Sequence, residues 1–153
     1  MRQFRLIRAG WWIPEAASRA GLAPALGFVG EIKVVEAKSG YTLVREIPSV
    51  ETYCRLRASA GLSSKTAEAA ARGLPHTLFA VQVLQGGEAV GMGRVIGDGG
   101  TFFQVVDIAV LPEHQGRGLG KAIMAEIADF IAREVPESGY VSLLADGQAY
   151  RLY

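Results

Sequence analysis

The chain has 153 residues, 50% of them hydrophobic and 20% charged, a composition typical of one globular domain. Its formal net charge of +1 gives no reason to expect a nucleic acid or an anionic membrane as a partner, and no apolar run approaches the ~20 residues of a membrane span. The single cysteine, Cys54, excludes an internal disulfide and favours a cytoplasmic protein.

The first forty residues differ in pattern from the rest. Residues 1–8 are basic and apolar but lack the long apolar core and cleavage site of a secretory signal, and the regular spacing of their arginines leaves an organelle-targeting segment open. Residues 15–25 are alanine-rich and favour a short helix, and residues 28–37 favour an extra strand. We interpret residues 1–40 as an N-terminal extension, either not native to the protein or an added strand, and residues 41–153 as the main domain.

From residue 41 onward, apolar periodicity and turn residues predict a regular series of elements. The first is a strand (41–46), followed by a helix capped by Ser49 and ended by Gly61 and a second helix capped by Ser63 and Ser64 and ended at Gly73. Three antiparallel strands joined by hairpin turns come next (77–84, 89–96 and 101–111). A long helix to about Glu134, a short buried strand (140–145) and a helical stub (148–153) complete the series. We expect one domain without internal repeats.

Residues 107–120 carry most of the functional information. A strand with one charge, Asp107, is ended by Pro112, because proline has no N–H for the ladder. Three glycines follow within residues 115–120, and a helical period begins at Leu119. The free N–H groups and the positive dipole end of such a helix start favour an anion such as phosphate.

Two well-known phosphate-loop patterns do not fit these glycines. A P-loop needs Ser or Thr after Gly-Lys, where this chain has Ala122. The dinucleotide fingerprint needs Gly-x-Gly-x-x-Gly, whereas Gly116, Gly118 and Gly120 are spaced two and two.

A third pattern, Gln/Arg-x-x-Gly-x-Gly/Ala, is met in full by Gln115-Gly-Arg-Gly118-Leu-Gly120. Together with the preceding Ala109-Val110-x-Pro112 and the amphipathic helix that follows, this stretch resembles the GNAT superfamily of N-acetyltransferases. The order of elements over residues 41–153 is similar to that of the same family. The other interpretation is a glycine-rich turn that holds no ligand.

The resemblance implies both a fold and an activity. The fold is an α+β, three-layer architecture with a central mixed, mostly antiparallel sheet flanked by helices. The activity is transfer of the acetyl group of acetyl-coenzyme A to a primary amine of a small molecule or peptide, by direct attack in a ternary complex and without a metal. A homodimer is the expected assembly.

The resemblance also implies where acetyl-coenzyme A binds. In the family, the glycine loop grips the pyrophosphate, and the pantetheine arm pairs with the main chain of the strand before it, where that strand splays from the next. The thioester oxygen would then meet a backbone N–H near Ile108. The implied cofactor-binding residues are Ile108, Ala109, Val110, Gln115, Gly116, Arg117, Gly118, Leu119, Gly120 and Lys121.

The catalytic residues are less sharply implied. The family's general acid is commonly a tyrosine in a Leu-Tyr pair, which points to Tyr153, with Tyr150 one helical turn earlier as the alternative. Relatives often carry a glutamate base where this chain has Gln104, so Asp107 is the predicted base, with Asp146 as the alternative. Each of these side chains also has a purely structural interpretation: ring packing, a turn cap or a cross-strand hydrogen bond.

Several alternatives stay open. Loss of the strand glutamate also fits a non-catalytic acyl-coenzyme A-binding module, and the chain also fits a truncated or permuted form that folds only as an oligomer. The first two helices and residues 63–76 are expected to border the amine pocket, where no acidic cluster indicates a polyamine or an aminoglycoside.

The last predicted strand, 140–145, needs a neighbour along its outer edge. The family pattern continues past residue 153 with two more strands, so the resemblance implies an uncovered edge on this strand. We expect the candidate strand at 28–37 to cover that edge, in its own subunit or exchanged with a partner. The rival hypothesis is that residues 1–40 pair elsewhere and a second protomer covers the edge.

Overall fold

The computed structural model describes the backbone of residues 5–6, 35–37 and 40–145 and the side chains of residues 40–143. The elements in chain order are β1 (Arg5–Leu6), β2 (Val35–Ala37), β3 (Tyr41–Val44), α1 (Val50–Ser59), α2 (Ala67–Gly73), β4 (Phe79–Gln85), β5 (Glu88–Gly97), β6 (Phe102–Val110), α3 (Leu119–Glu134) and β7 (Tyr140–Ala145), with short 3-10 turns at Leu74–His76 and Pro112–His114. In this part of the chain no helix is long and apolar enough to cross a membrane.

The strands form one sheet in the order β1-β7-β6-β5-β4-β3-β2. The pair β6–β7 is parallel, and every other neighbouring pair among the described strands is antiparallel. The predicted α+β class with a mixed, mostly antiparallel sheet is therefore confirmed.

Helices cover both faces of the sheet, which gives the predicted three layers. On β5, a side chain at Gly93 would point at Ile123 and Ile127 of α3. The next residue, Arg94, points to the opposite face and stacks on Tyr53 of α1, with 5.0 Å from its Cζ to the ring centroid. The helix α3 therefore covers one face, while α1 and α2 cover the other.

The long helix α3 packs through a stripe of residues four apart. Leu119, Ile123 and Ile127 are buried on the sheet, as the helical period predicts. The buried guanidinium of Arg45 holds the outer side of this helix through Glu126 at 2.7 Å and Asp129 at 2.9 Å. The predicted start and end of the helix are both confirmed.

The helix caps were predicted with mixed success. Ser49 caps α1 as predicted, with Oγ accepting from the N–H of Thr52. The predicted cap of α2 at Ser63 and Ser64 is wrong, because Thr66 caps this helix. Ser63 instead lies in the loop, where its carbonyl oxygen accepts from the guanidinium of Arg57 at 2.9 and 2.6 Å.

The candidate strand at 28–37 was predicted to cover the edge of β7, and this prediction is wrong. Residues 35–37 pair with residues 41–43 of β3, at the opposite edge of the sheet from β7. Only residues 38–40 separate the two strands, and Gly40 has the positive φ of 87° that a tight turn uses. Closing so short a loop costs little entropy, so the local hairpin prevails over a distant pairing. The described neighbour of β7 is β1, residues 5–6.

Candidate active site

A cleft opens between the neighbouring strands β6 and β7. Residues 102–105 of β6 pair with residues 140–143 of β7, and within the described residues no pairing continues beyond that point. The strand β6 nevertheless runs on to Val110. Within the described residues no strand pairs with the rest of its β7 side, which suits an extended ligand.

The predicted pantetheine-binding residues lie along this open edge. Leu111 donates its N–H to Val90 on β5, and backbone groups alternate in direction along a strand. The N–H groups of Ile108 and Val110 therefore point into the cleft, while Ala109 faces β5.

A β-bulge creates the splay. The ladder between β5 and β6 shifts register between Met92 and Arg94. One residue of β5, Gly93, therefore stands opposite two residues of β6, Asp107 and Ile108. A bulge bends its strand and strengthens the local twist, which turns β6 away from β7.

Asp107 holds this bulge from the face covered by α1. It is the one described non-glycine residue with a positive φ, 59°. Its carboxylate binds Arg57 through one oxygen and Arg94 Nε, at 2.7 Å, through the other. Its side chain is only 4% exposed. With both oxygens bound to guanidinium groups, the contacts favour a positioning role, and the predicted role as general base stays a prediction.

The two arginines are themselves fixed by neighbouring groups. Arg57 reaches the backbone carbonyl and the hydroxyl of Ser63, and Arg94 Nη1 donates to Thr77 Oγ1 at 2.6 Å. Tyr53 packs against both guanidinium groups. Burial raises the pKa of the Tyr53 phenol and Asp107 raises it further, against the opposing effect of the arginines. Its hydroxyl therefore stays protonated at neutral pH.

The glycine loop joins the cleft to α3. Gly116 and Gly118 have positive φ values of 74° and 82°, and a Cβ on either would face open space. Gly118 is the N-cap of α3, and because no side chain caps this helix, its first N–H groups are left free for a ligand. Leu119, Gly120 and Lys121 supply those groups. Open space, free N–H donors and the dipole of a 16-residue helix fit a pyrophosphate.

Two side chains fix the loop in place. Gln115 Nε2 donates to the carbonyl oxygen of Val110 at 2.9 Å, which ties the loop to the end of β6. The His114 Nδ1 and the hydroxyl of Tyr41 lie 2.9 Å apart. Arg117 is exposed, as the predicted contact with a phosphate requires.

A cavity of about 180 Å³ lies between α1, α2 and β5, on the other face of the sheet from α3. It is lined by Tyr53, Lys65, Ala69, Ala70, Gly73, Leu74 and Arg94. The expectation that the first two helices border the amine pocket stays a prediction, and this cavity is the candidate for that pocket.

Part of the predicted site lies outside the described residues: Tyr153, Tyr150 and Asp146. In the other direction, the sequence analysis missed Arg57 and Arg94 as site residues. A signal was present, since Arg94 is a lone charge within the apolar run of β5, and an unpaired charge is rarely buried.

Comparison with known proteins shows which family this chain belongs to. The profile of the Acetyltransferase (GNAT) family matches residues 43–153. A solved structure from meticillin-resistant Staphylococcus aureus, of a protein of unknown function named a probable acetyltransferase, is 51% identical with a TM-score of 0.71, covering 74% of this chain and 85% of that one. A GNAT-family acetyltransferase from Streptococcus pneumoniae is 26% identical with a TM-score of 0.58, covering 72% and 79%. A GNAT-family protein from Xanthomonas campestris is 26% identical with a TM-score of 0.60, covering 74% and 80%. None of the curated proteins matches this sequence.

Proposed function

Because this chain belongs to the Acetyltransferase (GNAT) family of acyltransferases, we propose that it transfers the acetyl group of acetyl-coenzyme A to the primary amine of a small molecule or peptide, by direct attack in a ternary complex. The observation that carries this proposal is the splay between β6 and β7, which opens next to the glycine loop at the start of α3. An open strand edge suits an amide-bearing arm, and a free helix start suits a pyrophosphate.

The backbone of β6 supplies the electrostatic part of this reaction. Negative charge develops on the thioester oxygen as the amine attacks, and a fixed N–H donor stabilises it. The N–H of Ile108 points into the cleft at the bulge, while the carbonyl oxygen of Val110 is already bound by Gln115. No described strand pairs with this N–H, which supports its role as the donor to the thioester oxygen.

Two proton transfers complete the proposal. The departing thiolate takes a proton from Tyr153, and the attacking amine loses one to a base, for which Asp107 is the sequence-based candidate. The two guanidinium contacts of Asp107 support a different role, in which its carboxylate holds the bulge and so aims the N–H of Ile108.

Calorimetric titration with acetyl-coenzyme A, followed by a thiol-release screen against amines, tests the proposal. Binding with a stoichiometry of about one, together with amine-dependent thiol release, is the expected result. Binding without release for any amine would favour the non-catalytic acyl-coenzyme A-binding module. Absence of binding would contradict both functions.

The assembly and location of the protein belong to the same proposal. We expect a homodimer in the cytoplasm, with no nucleic acid or membrane partner. Light scattering of the purified chain measures the assembly, and a monomer at micromolar concentration would contradict it.

A further inference from the structure

We propose that the amine acceptor carries an anionic group, a carboxylate or a phosphate, which binds Arg94 and Lys65 in the cavity between α1, α2 and β5. This inference rests on the proposed acetyl transfer, because it assigns the cavity to the acceptor. It names a substrate class that the family does not define.

The first observation is the charge of the cavity. Two cationic side chains, Lys65 and Arg94, are among its lining residues, and no carboxylate is among those the structure describes. The carboxylate that binds Arg94, Asp107, is shared with a further buried cation, Arg57. Two arginines therefore share one carboxylate, and Lys65 adds a further positive charge at the cavity wall. This excess of positive charge favours an anion over a polyamine.

The second observation is an unused donor on Arg94. Its Nε binds Asp107 and its Nη1 binds Thr77, while no contact within the described residues engages its Nη2. The side chain is only 8% exposed. Among the described residues no fully buried polar atom lacks a partner, so Nη2 meets open space, and Arg94 lines the cavity. Arg94 therefore keeps one free donor at the wall of the cavity, where an anionic ligand can accept from it.

The third observation is size and position. A cavity of about 180 Å³ is several times the roughly 30 Å³ that one water molecule occupies in the liquid, which leaves room for a carboxylate or phosphate with a few attached atoms. Arg94 pairs with Val106 across the ladder, two residues before Ile108. An acceptor anchored at Arg94 would therefore hold its amine close to the predicted thioester position.

The second cation of this anion site is Lys65. It is exposed and precedes α2, and no ion pair within the described residues engages its ammonium group. Arg94 supplies fixed donor geometry from the sheet, whereas Lys65 supplies a flexible charge from the loop. Together they fit an anion that enters from solvent.

Matched substrates test the proposal. Amino acids are compared with their carboxamides, and phosphoethanolamine is compared with ethanolamine, by thiol release from acetyl-coenzyme A. We expect kcat/KM for the anionic member to exceed that of its neutral counterpart by about tenfold or more, the order expected for charge-assisted hydrogen bonds. The carboxylate and phosphate pairs distinguish the two sources of negative charge. Equal values in both pairs, with turnover intact, would overturn the inference and leave the proposed function standing.

Charge reversal at the cavity gives the second measurement. Lys65→Glu should raise KM for the anionic acceptor about tenfold or more, a larger factor than for its neutral counterpart. Arg72→Glu is the matched control, since it makes the same charge change on the exposed side of α2, where Glu68 is the ion-pair partner of Arg72 among the described residues. An equal effect of both variants would indicate a general charge effect and overturn the inference.

Binding of products separates the inference from the proposed function. Calorimetry with an N-acetylamino acid and its carboxamide needs no turnover and involves no titrating amine. Tighter binding of the acid, weakened in both Arg94→Gln and Lys65→Glu, supports the anion site. If acid binding is strong but no amine releases thiol, the transferase function fails, and the assignment of this cavity to an acceptor fails with it.

Discussion

Asp107 combines a positive φ, nearly complete burial and two guanidinium partners in one residue of β6. Each property has a cost when taken alone: the backbone is strained and the charge is removed from water. The three are consistent because Arg57 and Arg94 compensate the charge and hold the side chain that the strained backbone directs at them. The bulge therefore depends on side chains that come from a helix and from the neighbouring strand.

Asp107→Asn isolates this charge. Asparagine tolerates a positive φ and has nearly the same shape, so the backbone is preserved while two buried arginines lose their carboxylate. We expect a loss of about 3–5 kcal/mol in the free energy of unfolding, measured by urea denaturation. If Asp107 is instead the general base alone, the variant will keep its stability and lose kcat.

Gly118→Asp tests the glycine loop at the scale of one side chain. A carboxylate at this position would meet the pyrophosphate, so we expect calorimetry to detect no binding of acetyl-coenzyme A. Gly118→Asn is the matched control, because it adds the same volume at φ 82° without the charge. Wild-type affinity in a folded Gly118→Asp protein would contradict the assignment of the loop.

Tyr153→Phe removes the predicted proton donor. We expect kcat to fall by about 10²–10⁴-fold, with the affinity for acetyl-coenzyme A unchanged, because only the proton transfer is lost. Tyr150→Phe is the control, and a larger effect there would transfer the role to Tyr150. A loss confined to the KM of the amine would mean that Tyr153 positions the substrate.

At the scale of elements, the sequence predicted correctly those elements that are determined by neighbouring residues. The strand β7 and the helix α3 were placed correctly, because a short apolar run and a period of four residues need no information from elsewhere in the chain. The motif likewise located the glycine loop. The bulge was not predicted, because it depends on Asp107 meeting Arg57, which lies 50 residues away. The wrong cap of α2 has the same origin, since Arg57 holds Ser63 in the loop.

Gly93→Ala tests the bulge as an element. A Cβ at this position would lie 2.5 Å from Ile123 Cγ2 and 2.8 Å from Ile108 Cδ1. We expect about 1–3 kcal/mol of lost stability from this overpacking, together with weaker binding of acetyl-coenzyme A as Ile108 shifts. Gly91→Ala is the control on the same strand, with its closest contact at 3.1 Å. Equal stability of the two variants in urea would contradict this account.

At the scale of the whole molecule, the sheet places the two halves of the site on opposite faces. The helix α3 and the glycine loop begin where β6 ends, and the cavity with its arginines lies on the side of α1 and α2. The bulge connects them, because Ile108 faces α3 while Asp107 reaches Arg57 and Arg94. A donor substrate and an acceptor would thus approach one point of β6 from different directions.

The two edges of the sheet give the last prediction. Among the described strands the outermost two, β1 and β2, come from the first 37 residues, and they cover β7 and β3. Deleting residues 1–38 would expose unpaired N–H and C=O groups along both edges, so we expect lower stability and concentration-dependent association, measured by urea denaturation and light scattering. Deleting residues 1–8 is the control, since it removes β1 alone and reports on β7. A soluble, equally stable protein with an unchanged oligomeric state after the longer deletion would show that these strands do not protect the sheet.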